Sequence, residues 1–135
     1  MAKIKKAKKV RWASNQTLWI GDPEYVLNNE KWQKISLKFK DKYKEGLLKI
    51  NSTFFGDGAY GNNTGQCYDI DSGTIAIVPY PMVENFKYLK SGREVWVMEE
   101  IVSTEIVRIN NELHFRVNQQ TVEILLLEEL NHVFN

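Results

Sequence analysis

The chain has 135 residues, 43% of them hydrophobic and 12% aromatic, with a formal net charge of +1. That length suits one domain with a real core, and the composition excludes a wholly disordered chain. No apolar run approaches the roughly 20 residues that span a bilayer, so no membrane partner is expected.

The charge is unevenly placed. Lys3, Lys5, Lys6, Lys8, Lys9 and Arg11 crowd the start, and without them 12 basic residues face 17 acidic ones. Residues 1–9 therefore read as a basic N-terminal arm on a domain spanning 10–135. Such an arm is either a solvated edge or a contact for nucleic acid or an acidic partner. No apolar stretch follows these charges, so a secretory signal is not expected. Cys67 is the only cysteine, which rules out an intrachain disulfide and fits a reducing, cytoplasmic setting.

In chain order, Val10–Trp12 and Thr17–Ile20 read as strands around the turn-prone Ser14-Asn15-Gln16. Gly21-Asp22-Pro23 ends the second strand, because Pro23 cannot donate to a ladder. A short strand over Tyr25-Val26-Leu27 follows. Asn28 or Asn29 can cap a helix, with Glu30 in its first turn. Trp32, Ile35, Phe39 and Tyr43 recur at helical spacing, so the helix is expected over 29–45 with Gly46 as its left-handed terminator. Its stripe reads as core packing against a sheet.

Leu47–Phe55 reads as a strand with Leu48, Ile50 and Ser52 on one side and Leu47, Lys49, Asn51 and Thr53 on the other. Five of the eight glycines then fall between Gly56 and Gly73. Clustered glycines mark a shaped backbone, and a shaped loop beside a buried strand is a natural place for function. Within this stretch Cys67–Ile70 is a strand candidate, Asp71-Ser72-Gly73 a turn, and Thr74–Val78 a buried strand. Tyr60 is the aromatic least expected in the core, and Cys67 reads as a small buried residue. Met82–Lys90 suggests a short helix. From Glu94 an antiparallel meander is expected, with a three-residue loop pairing Ile109 with Leu113 and Val107 with Phe115. Leu125–Phe134 is ambiguous between strand and helix.

The chemistry-bearing candidates are the turn residues. Asp22, Asp57, Asp69 and Asp71 lie at predicted strand ends beside glycine or proline, or near them. Converging carboxylates can hold Mg²⁺ or Ca²⁺, with Asp22, Asp57 and Asp71 as the metal set, although their spacing matches no metal signature. Turn aspartates also bond their own backbone, which is the alternative reading. Ser72 lies outside a nucleophile elbow, and His114 and His132 are distant from it in sequence. Gly56–Gly61 superficially matches Gly-x-Gly-x-x-Gly but precedes no helix, so it fails as a phosphate loop.

Three segments together resemble a family of small uncharacterised bacterial and phage proteins. They are Trp19-Ile20-Gly21-Asp22-Pro23-Glu24-Tyr25, then Gly56-Asp57-Gly58-Ala59-Tyr60-Gly61, then Tyr68-Asp69-Ile70-Asp71-Ser72-Gly73-Thr74-Ile75, with Trp32 between the first two. The resemblance covers about residues 17–79. A cysteine common after the proline is Glu24 here, so any thiol role at that place is absent. The resemblance implies a β-rich fold, no known activity, and one shared site or set of turns built from Asp22, Asp57, Tyr60, Asp71 and Ser72.

The expected architecture is a single α+β domain, a mostly antiparallel curved sheet with one main amphipathic helix packed on it. The leading functional expectation is a non-catalytic binding module without a cofactor. Its ligand-binding residues would be Asp22, Asp57, Tyr60, Asp69, Asp71 and Ser72. In a phage-type counter-defence setting it would sequester a nucleotide-like molecule or block a host protein. The alternatives are a metal-dependent hydrolase using the turn aspartates and a structural homo-oligomer pairing exposed strands.

Overall fold

A computed structural model describes residues 16–53 and 56–129. The basic arm, with Lys3, Lys5, Lys6, Lys8, Lys9 and Arg11, and the strand expected at Val10–Trp12 lie outside the described residues, as does His132. Among the described residues ten strands and one α-helix follow in order. The strands are β1 (Thr17–Gly21), β2 (Lys42–Glu45), β3 (Leu48–Ser52), β4 (Gly58–Asn62), β5 (Cys67–Ile70), β6 (Thr74–Pro79), β7 (Arg93–Trp96), β8 (Thr104–Ile109), β9 (Glu112–Val117) and β10 (Gln120–Glu129). The helix α1 (Asn29–Lys38) stands between β1 and β2.

The fold is α+β and the strand pairing is antiparallel throughout. The expected sheet divides into two five-stranded sheets, ordered β2-β3-β6-β1-β7 and β5-β4-β10-β9-β8. Alternation along each strand explains the layering. Leu18, Ile20, Ile75 and Ile77 point one way from the first sheet and meet Tyr60, Tyr68, Phe115, Leu125 and Leu127 from the second. Trp19, Leu48, Ile50, Ala76 and Val78 point the other way and meet Ile35 of α1, with Trp32 and Phe39 packed at the margin. The molecule is thus three layers: helix, sheet, sheet. No helix among the described residues is long and apolar enough to cross a membrane.

The helix starts as its sequence directs. Asn28 caps it, its side chain accepting from the Lys31 amide at 2.7 Å. It ends at Lys38, not near residue 45, because Phe39 is extended (φ −70°, ψ 133°). The Tyr43 that fits the helical stripe instead lies on β2, where it still packs on the same cluster. Gly46 turns a β-hairpin at φ 59° rather than terminating a helix. A four-residue apolar spacing followed by Lys-Tyr-Lys-Glu fits either structure locally. Pairing of Tyr43 with Ile50 favours the strand.

Other differences are local. Pro23–Tyr25 is a 3-10 turn rather than the approach to a strand, and Met82–Lys90 yields only the 3-10 turns Tyr80–Met82 and Leu89–Ser91. The Asn110-Asn111 turn holds two residues, not three. Ile109 therefore faces Glu112 and Ile106 faces Phe115, one register step from expectation. Asn110 takes φ 55°, which asparagine tolerates.

Trp19 anchors the helix-side layer. It is fully buried, and its indole Nε1 donates to the Leu89 carbonyl at 2.9 Å. Its ring lies over Gly92, where a Cβ would come within 2.2 Å of the Ile20 carbonyl oxygen and 2.4 Å of the indole. Gly92→Ala should therefore destabilise the protein by about 2 kcal/mol, the ordinary cost of forcing atoms into a filled core. A urea midpoint equal to wild type would contradict this packing.

Candidate functional site

The glycine- and aspartate-rich turns converge, as their motifs imply, but around a carboxylate that is already satisfied. Asp22 is fully buried. Its Oδ2 accepts from the backbone amides of Asp71 (2.7 Å) and Ser72 (2.8 Å). Its Oδ1 accepts from Ser72 Oγ (2.7 Å) and the Glu24 amide (2.9 Å). Ser72 Oγ also meets Thr74 Oγ1 at 2.5 Å. Tyr25 completes the group by donating its hydroxyl to Asp71, which pushes the phenol's pKa upward.

A second set of turns joins the first. Thr53 donates its amide (3.0 Å) and Oγ1 (3.1 Å) to the Gly73 carbonyl, and its Oγ1 also reaches the Gly56 carbonyl at 2.9 Å. Tyr60 donates to that Gly56 carbonyl at 2.7 Å. Tyr60 is fully buried, against expectation. Residues 58–62 form a strand, and alternation turns the Tyr60 ring between the sheets. Asp22, Tyr60, Asp71 and Ser72 thus share one continuous set of turns. Asp57 and Asp69 are exposed and make none of its hydrogen bonds.

This geometry bears on the metal alternative. Both oxygens of Asp22 accept hydrogen bonds from donors, which would have to be displaced by a cation. Among the described residues no group of three or more His, Cys, Asp or Glu is placed to hold a metal ion. Ser72 faces a carboxylate but no histidine. His114 stands on β9, 2.9 Å from Glu112. Cys67 is exposed, not buried, because Tyr68 and Ile70 take the inward positions of β5. Burial and Asp69 raise its thiol pKa, which disfavours the reactive thiolate.

A buried charge escaped notice in the sequence. Glu123 of β10 has a wholly buried carboxylate. It receives Arg93 Nη1 at 2.9 Å, Asn62 Nδ2 at 3.3 Å and the Tyr68 hydroxyl. Burial first, and Glu123 second, push the Tyr68 pKa up. Three donors on one carboxylate offset its desolvation and tie β4, β5, β7 and β10 together.

A strongly basic concavity lies elsewhere, at the edge where β2 and β3 of the first sheet face β8 of the second. It measures about 630 Å³. Register sets its lining. Lys49 and Asn51 sit opposite Ile77 and Ile75, so they point toward the second sheet. Lys44 and Lys42 sit opposite Lys49 and Asn51, so they point the same way. From the other side, Thr104, Ile106 and Arg108 sit opposite the core residues Val117, Phe115 and Leu113.

The cleft holds four cations, Lys42, Lys44, Lys49 and Arg108, against the single acid Glu105. Glu105 reaches out to Arg116 at 3.5 Å. Lys49 Nζ bridges the sheets, donating to the Gly46 carbonyl at 2.6 Å and to Thr104 Oγ1 at 3.1 Å. Burial, then the neighbouring Lys44, lower its pKa. Asn51 is only 4% exposed, and its Nδ2 is a buried donor without an acceptor. A cleft with clustered cations and an unmet amide can take an anionic ligand bearing a hydrogen-bond acceptor.

Sequence reasoning placed Lys49 and Asn51 on one face of a strand but assigned 42–45 to the helix, where lysines look merely solvated. The signal was Lys-x-Lys, Gly46, then Lys-x-Asn, a hairpin with four polar residues on one face. Comparison with family models, with curated proteins and with solved structures gives no match to this chain.

The turn clasp and the exposed aspartates should separate cleanly on mutation. Asp22→Ala leaves several part-buried donors without their acceptor and should cost about 3 kcal/mol in urea denaturation. Asp57→Ala and Asp69→Ala should leave the midpoint unchanged within scatter. An Asp22→Ala as mild as those two would contradict a structural role for Asp22.

Proposed function

We propose that the protein is a non-catalytic binding module that holds a small anionic ligand in the cleft between β2–β3 and β8. The observation that carries this reading is the inward placement of Lys42, Lys44 and Lys49 beside the unpartnered Asn51 amide. Inner faces of a sandwich are ordinarily apolar. Four cations gathered at one edge repel each other, and an anion there relieves that repulsion. A volume of about 630 Å³ falls within the range of small-molecule sites.

The non-catalytic part rests on what surrounds the reactive side chains. Ser72 Oγ is engaged by Asp22 and Thr74, His114 lies beside Glu112, and the Cys67 thiol is pushed toward its neutral form. Such a module acts by holding its ligand without turning it over. Sequestration of a nucleotide-like anion, as in phage-type counter-defence, is the role that fits this behaviour. The turn residues Asp22, Tyr60, Asp71 and Ser72 then serve to fix the frame on which the cleft is built.

Thermal denaturation with pyrophosphate, nucleoside phosphates, sugar phosphates and uncharged metabolites tests the reading. At ten times its Kd a phosphate-bearing ligand should stabilise the protein by about 1.4 kcal/mol, which raises Tm by several degrees. The shift should weaken with added salt. It should vanish in the Lys42→Glu, Lys44→Glu double variant. A shift that survives both charge reversals, or a panel in which no anion stabilises the protein, would overturn the proposal.

A further inference from the structure

We infer that the ligand of this cleft is bipartite. Its anionic group sits among Lys42, Lys44 and Arg108, and an uncharged carbonyl acceptor reaches the amide of Asn51, the arrangement of a nucleoside monophosphate. The inference rests on the cleft being the binding site and deepens that reading to a ligand class.

Depth separates the two recognition features. Lys42, Lys44 and Arg108 are exposed and form the mouth, whereas Asn51 is 4% exposed and lies at the floor. A compact inorganic anion at the mouth leaves the Asn51 donor unmet. Lys49, on the same face of β3 as Asn51, already donates to the Gly46 carbonyl and to Thr104. The wall beside it is apolar at Ile106, whose side chain turns inward opposite Phe115. A matching ligand therefore has a charged end, a body that tolerates apolar contact, and a neutral acceptor at its far end.

The donor at the floor also fixes the polarity of that far end. Asn51 Nδ2 is a buried N–H group without a partner, and leaving such a group unmet is costly. A base carbonyl accepts from it; a ribose phosphate without a base offers no such carbonyl. A buried amide without a protein partner calls for an acceptor, and a bound ligand can supply one.

Calorimetric titration of the full chain with the four common nucleoside 5′-monophosphates and with ribose 5-phosphate tests this. At least one nucleotide should bind about tenfold more tightly than ribose 5-phosphate, the value of one well-placed hydrogen bond. Asn51→Leu should bring that nucleotide to within about twofold of ribose 5-phosphate while raising the Tm of the unliganded protein, since it removes an unmet buried donor. Asn51→Ala should collapse the same ratio if the leucine does not fit. Ribose 5-phosphate binding as tightly as every nucleotide would overturn the bipartite ligand and leave the anion site standing. So would a nucleotide preference that survives both Asn51 variants. Failure of all five compounds to bind while pyrophosphate still stabilises the protein would likewise overturn the bipartite ligand alone; failure of pyrophosphate as well would overturn both.

Discussion

A strand must show its alternate side chains to opposite faces, and β3 obeys this with residues that do not belong in a core. Leu48 and Ile50 face the helix. Lys49 and Asn51 face the second sheet, in line with Ile77 and Ile75. From this single register the rest follows. The inner faces close where β1, β6, β4, β9 and β10 are apolar, and they stand apart where β2 and β3 carry lysine. The cleft is a consequence of that boundary, and Lys49 and Thr104 bridge it with hydrogen bonds across the gap.

The turn residues that draw the eye in the sequence do a different job. Asp22 replaces water for two backbone amides of the Asp71–Gly73 turn, and Thr53 and Tyr60 bind the Gly73 and Gly56 carbonyls. These bonds join the end of β1 to the start of β6 and to β4, so they tie one sheet to the other. The buried Glu123, held by Arg93, Tyr68 and Asn62, does the same elsewhere. Two polar clasps and one apolar interior hold a sandwich whose remaining edge is free to be basic. The inward lysines of β2 also discourage pairing of this outer strand with another chain.

Much of the fold was legible because it depends on local rules. Asn28 and Glu30 mark the helix start, Gly73 the turn, and the Thr74–Val78 run a buried strand. The α+β class and the antiparallel pairing followed from them. Tertiary pairing decided the rest. Tyr43 satisfies a helical stripe and a strand equally well, and only its partner Ile50 selects the strand. Tyr60 lies among glycines, yet its ring is drawn inside by the alternation of β4. The cluster of Asp22, Asp71 and Ser72 could be anticipated from their turns. The cleft could not, since its lysines come from a hairpin misread as a helix and its other wall from β8, more than fifty residues away along the chain.

On the proposed reading, anions enter between β2–β3 and β8 and nowhere near the aspartate turns. Amide chemical-shift mapping during a pyrophosphate titration tests it most directly. Shifts should be confined to Lys42–Glu45, Lys49 and Thr104–Arg108, saturating together. Shifts centred on Asp57 and Asp69–Ser72, or none at any residue, would contradict it.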